Sequence, residues 1–115
     1  MKVINLTQNT LLSDKAKTAG DFFSRLKGLL GRDGLSPGEA LVITKSRSIH
    51  MFFMKFTIDA VFVDNNKIVV GLAEGIKPFE MSPVFFKARD VIEVPAGKIR
   101  ETKTQIGDQI VFQRD

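Results

Sequence analysis

The sequence predicts a mainly β fold of the β-rich α+β type. It would be a single compact antiparallel domain, barrel- or jelly-roll-like, with one short helix in its N-terminal half. Three observations carry this. Seven or eight short apolar runs recur at regular spacing between turn signals, the pattern of closed or sandwiched β folds. Only residues 18–31 show helical spacing. Strands and helices do not alternate, which disfavours a doubly wound parallel sheet. The chain of 115 residues, 43% hydrophobic and 26% charged, has no internal repeat or linker and reads as one domain over residues 1–115.

The elements follow in order. Lys2 to Leu6 alternates and reads as a strand, which Leu11 and Leu12 continue or pair with. In residues 18–31, Thr18 and Asp21 form a capping box, and Phe22, Leu26, Leu29 and Leu30 make an apolar stripe that Ala19 and Phe23 widen. Gly31 stops the helix, and residues 31–39, with three glycines and a proline, form a loop. Leu41 to Ile43 is a strand, and residues 48–63 form a long β region of one bent or two separate strands. Asp64 to Lys67 is a tight turn whose asparagines tolerate positive φ, returning to a partner strand over Ile68 to Ala73. Pro78 and Pro83 bracket a loop, with Val84 to Phe86 as a short strand. Val91 to Val94 is a strand ended by Pro95-Ala96-Gly97, and Gly107-Asp108 turns into a last strand, Gln109 to Phe112.

Composition narrows the chemistry. Without cysteine, zinc fingers, iron–sulfur clusters and thiol catalysis are excluded, and one histidine excludes a multi-histidine metal site within one chain. No apolar run approaches the roughly 20 residues of a membrane helix. No secretory signal is visible at the start, so the expected location is cytoplasmic, or exported if a signal was removed from a longer precursor. The net charge of +4 suggests anionic partners, but the basic residues are scattered, the tightest grouping being the loose Lys45, Arg47 pair.

The informative stretch runs from Arg47 to Asp64. At period two, His50, Phe52, Met54, Phe56, Ile58, Ala60 and Phe62 share one face, which is core. On the other face Lys55, Thr57 and Asp59 interrupt Met51, Phe53, Val61 and Val63 as a polar stripe. Lys55 and Asp59 would lie about 13 Å apart on a straight strand, so each needs a partner elsewhere, such as Glu93, Arg25 or Arg32, or a ligand.

These residues resemble a family. Arg25-x-x-Gly28-Leu29-Leu30-x-Arg32, the His50 to Asp64 stretch, the Glu93 to Gly97 turn and the Gly107-Asp108 turn look like the family called DUF192 or UPF0127, in order and spacing, over roughly residues 20–112. Phe53 and Phe56 stand where many members carry Trp, Asn or Pro. The resemblance implies a mostly antiparallel β domain with a short helix at one side. It implies no known reaction. Members that look exported or accompany pilus and secretion systems imply an accessory role.

The resulting expectation is a non-catalytic ligand-binding or accessory module. Its small cationic cleft would be edged by Arg25, Arg32, His50, Met54, Lys55, Asp59 and Glu93, the cations holding a small anionic ligand or a protein partner and Asp59 orienting them. No cofactor or metal is expected. Copper on His50, Met51, Met54 and Met81 is disfavoured because His50 and Met54 stand about 13 Å apart on a straight strand. One alternative is a small enzyme with His50 or Asp59 as general base and Lys55 stabilising negative charge. A further alternative is a β-barrel stacking single-stranded nucleic acid on Phe52, Phe53, Phe56, Phe85 and Phe86. It is disfavoured because phenylalanine, the chain's only aromatic, must also build the core.

Overall fold

The computed structural model describes residues 1–19, 32–49, 51 and 54–115. Eight strands and one helical turn are formed among them: β1 (Lys2–Asn5), β2 (Thr10–Ser13), β3 (Lys15–Ala19), β4 (Glu39–Thr44), β5 (Ile58–Val63), β6 (Val69–Ile76), β7 (Asp90–Pro95), α1 (Lys98–Thr102) and β8 (Ile110–Gln113). They make two sheets, one of order β2-β1-β8 and one of order β3-β4-β7-β5-β6. The architecture is the expected mainly β one, built as two sheets rather than a closed barrel. All pairings are antiparallel except β3–β4, which is parallel. No helix among the described residues is long and apolar enough to cross a membrane.

The larger sheet is buried on both faces, so its central strands are nearly continuous apolar runs. Every residue of β5 is buried. One face carries Leu41, Ile43, Ile58, Ala60, Phe62 and Val91, packed under Ile49, Met51, Met54 and Phe56. The other carries Ala40, Val42, Val61, Val63, Ile92 and Val94, packed against Val3, Leu12 and Ile110 of the smaller sheet and Ile99 of α1. The period-two face read from Met54 to Phe62 is thus a core face, although only Ile58–Val63 is strand.

Several expected elements differ. Thr18 is not a helix cap, because it pairs with Val42 inside β3; a parallel ladder to β4 outcompetes the local capping pattern. The remainder of the expected helix, residues 20–31, lies outside the described residues. The long β region over 48–63 is not continuous: Ile49 and Met51 bond to the segment at Glu80 and Ser82, and Met54 N–H donates back to Met51 O. Val84 to Phe86 is not a strand but part of a turn closed by Ala88 N–H to Phe85 O. In the β5–β6 turn the positive φ falls on Lys67 (63°), not on an asparagine. Asp64 carries that turn by accepting the amides of Asn66 and Ile68.

A polar network closes the far end of the smaller sheet. Buried Asn5 donates to Thr104 Oγ1 (3.1 Å) and Asp108 Oδ2 (2.9 Å), and Gln8 and the Gln105 amide also reach Asp108. Burial alone would push the Asp108 carboxyl up, but the hydrogen bonds from Asn5, Gln105 and Gln8 outweigh it and hold it below the usual value.

Candidate functional site

Five of the seven residues singled out above lie in the described structure; Arg25 and His50 lie outside it. Asp59, early in β5, is 1% exposed and points to the face of Val61 and Val63. Its Oδ1 accepts the Gly75 amide at 2.9 Å, and its Oδ2 accepts the Gly97 amide at 3.0 Å and the Ile99 amide at 3.1 Å. One carboxylate thus fastens β5 to a left-handed position in β6, Gly75 (φ 63°), and to the opening turn of α1 at Gly97 (φ 93°). Glycine serves at both, since L side chains are rare there. Among the described residues no cation contacts Asp59, and both its oxygens accept backbone donors that tie three segments together.

Glu93 is fully buried in β7, opposite Ala60 of β5. By the pleat it shares the face of Val91, while Asp59 takes the opposite face. Glu93 and Asp59 therefore do not edge one cleft. Met54 is buried in the layer on the Glu93 side. Lys55, on the loop before β5, is exposed and makes no ion pair among the described residues. Arg32 is paired with Glu39 at 2.5 Å, and the Ser36 amide donates to the same carboxylate oxygen at 2.8 Å. The Arg32 guanidinium, followed by the Ser36 amide, holds the Glu39 carboxyl down at about 2.

Positive charge gathers elsewhere. Lys45, Arg47, Ala88 and Arg89 line an open cleft of about 420 Å³ where β4 ends and β7 begins. The chain turns out of β4 through Lys45 in a left-handed conformation (φ 56°), and the Ser46 amide donates to Arg89 O at 2.8 Å. The Arg89 amide donates to Val63 O at 2.7 Å, fixing the third wall against the end of β5. Beneath the cleft, buried Asp90 accepts the Lys45 amide (3.2 Å) and the Lys67 ammonium (2.9 Å). Lys67 therefore takes up the charge of Asp90, and Arg89 adds only a longer approach at 3.9 Å. The Lys45 and Arg47 side chains make no hydrogen bond or ion pair among the described residues. Among the described residues no acid lines the cleft, so its cations can face an anionic group. Lys45 and Arg47 were visible in the sequence as a pair; Arg89 was not, because a tertiary crossing brings it there.

A second open groove, about 570 Å³, lies over Asp59 and Gly75, with Glu74, Arg100 and Glu101 on its sides. Among the described residues no group of three His, Asp or Glu side chains is placed to hold a metal ion.

Comparison with known proteins is consistent over nearly the whole chain. The DUF192 family, described as an uncharacterized ACR, matches residues 3–112. A UPF0127 protein of Thermococcus sibiricus is 31% identical over 96% of this chain and 74% of its own length. A crystal structure of a protein of unknown function from Novosphingobium aromaticivorans superposes with a TM-score of 0.83 at 18% identity, over 97% of this chain and 84% of that one. Another, of a candidate transcription regulator from Sinorhizobium meliloti, gives 0.78 at 18% identity, over 96% and 89%. Both share the fold.

Proposed function

The chain belongs to the DUF192 family, and from that premise we propose that it is a non-catalytic anion-binding module whose ligand seat is the basin of Lys45, Arg47 and Arg89. The supporting observation is that three cations line one cleft with no acid among its described walls. Arginine forks suit the paired oxygens of a phosphate or carboxylate, and the lysine adds a mobile point charge. Among the described residues the walls are cationic or apolar, which suits holding an anion.

The test is a titration with inorganic phosphate and pyrophosphate, followed by amide NMR shifts. Saturable shifts are expected at Lys45, Ser46, Arg47 and Arg89, and an Arg47→Glu/Arg89→Glu variant should lose them while keeping the wild-type spectrum elsewhere. Shifts spread evenly over all lysine-bearing surfaces, or none at all, would refute the assignment.

A further inference from the structure

The segment from Phe79 to Phe86 presents an unusual surface beside this basin. Phe79 is 73% exposed, Met81 61%, Val84 50% and Phe86 78%. Four large apolar side chains thus stand out from one short loop, where scattered single residues would be ordinary.

The loop is not free to fold them inward. Its backbone is laced to Arg47–Met51: Phe79 N–H donates to Met51 O (2.7 Å), Met51 N–H to Glu80 O (2.8 Å), Ser82 N–H to Ile49 O (2.8 Å) and Phe85 N–H to Arg47 O (2.8 Å). Ser82 is buried and bonds the Ile49 amide, while Phe85 turns in against Phe62 with ring centroids 4.5 Å apart. With these neighbours turned inward, Met81 and Phe86 are held outward. Phe79 sits at the tip with φ 69°, an uncommon conformation for a bulky residue.

The lacing ends on Arg47, so the apolar ridge runs directly into the cationic basin. Exposed Lys77 and Lys87 flank the ridge. The one acid within it, Glu80, is turned back onto the Lys77 amide at 2.7 Å. Protruding aromatics bordered by lysine and arginine match a bilayer interface, whose acyl boundary accepts the rings while anionic headgroups meet the cations. Side chains this exposed do not line a groove for a peptide.

We propose that this face docks on an anionic membrane surface, with Phe79 and Phe86 entering the interface and the Lys45, Arg47, Arg89 basin seating a lipid phosphate. The inference rests on the anion-binding reading and deepens it.

The test is co-sedimentation of the full chain with phosphatidylcholine vesicles, with and without about one-third phosphatidylglycerol, at about 0.1 M and about 0.5 M salt. Binding should require phosphatidylglycerol and weaken at the higher salt. A Phe79→Ser/Phe86→Ser variant should bind such vesicles about tenfold or more weakly. Its phosphate-induced shifts in the basin should be unchanged, which also shows that it is folded. Arg47→Glu/Arg89→Glu should lose both responses. Wild-type protein that shifts with phosphate yet stays off the vesicles refutes the membrane reading and leaves the anion reading standing. Equal binding to pure phosphatidylcholine, indifference to the phenylalanine changes, or capture of an acidic apolar peptide in place of vesicles also overturns it. If the wild type responds to neither phosphate nor vesicles, both readings fall.

Discussion

Replacing Asp59 by asparagine separates a structural carboxylate from a catalytic one. The native side chain accepts three backbone amides through two oxygens. An asparagine has one oxygen and turns an NH2 group toward donors. If its oxygen keeps Gly97 and Ile99, the Gly75 amide loses its acceptor and the remaining pair loses charge assistance. Hydrogen bonds to charged groups contribute about 1.5–3 kcal/mol each, and a buried amide left without an acceptor costs about 1–3 kcal/mol. The sum, after partial relaxation, is about 3 kcal/mol. Unfolding entropy is about 2.1 cal/mol/K per residue, so for this chain Tm should fall by roughly 12 °C. Scanning calorimetry measures the fall, and hydrogen exchange should accelerate first at Gly75, Gly97 and Ile99. Phosphate shifts in the basin should persist, because Asp59 and Val63 sit at opposite ends of β5, about 13 Å apart. A Tm loss under about 3 °C, or a stable variant that no longer binds phosphate, would refute the structural assignment.

Two further outcomes are expected. Glu39 is held near 2, below its ordinary 4.5, first by Arg32 and then by the Ser36 amide. Its contribution is therefore fully present above about pH 4.5 and disappears as pH falls toward about 2. Solvent screening reduces it to about 1 kcal/mol, and Glu39→Gln should flatten that acid limb in urea unfolding at stepped pH. An unchanged limb would show that the pair adds nothing. Gly71→Ala would place a methyl 2.3 Å from Phe85 Cδ1, so the ring must leave its packing on Phe62. The cost should be about 1–3 kcal/mol by urea denaturation. Adding Phe85→Ala should cancel part of that cost, and strict additivity would contradict the clash.

Local signals were legible where chemistry and periodicity coincided. The Asp64–Lys67 turn, the buried face from Met54 to Phe62 and the Gly107-Asp108 turn follow from short-range rules, and the structure bears them out. β3 was not legible, because Lys-Ala-Lys-Thr-Ala is a strand only through a parallel partner far along the chain. α1 is a single turn with Ile99 as its one buried large apolar residue, and its remote cap comes from β5. The polar stripe in the sequence correctly marked Asp59 as needing partners. Those partners are main-chain amides, which no residue pattern displays. Val84 to Phe86 read as a short strand, yet Val84 and Phe86 stand exposed on a loop that backbone bonds to Arg47–Met51 dictate.

The pairing of β1 with β8 has a consequence for how the domain comes into being. Lys2 meets Gln113 and Asn5 meets Ile110, so the middle strand of the smaller sheet waits for almost the whole sequence before it gains its second neighbour. The closure entropy of so long a loop must be met before its contacts can reward it. During synthesis, a nascent chain can form the β1–β2 hairpin early. That hairpin's apolar side, with Val3 and Leu12, remains uncovered until the five-stranded partner is assembled. Pairing of β8 with β1 also brings Asn5 and Asp108 together, so the buried hydrogen bond between them joins the two ends of the sequence.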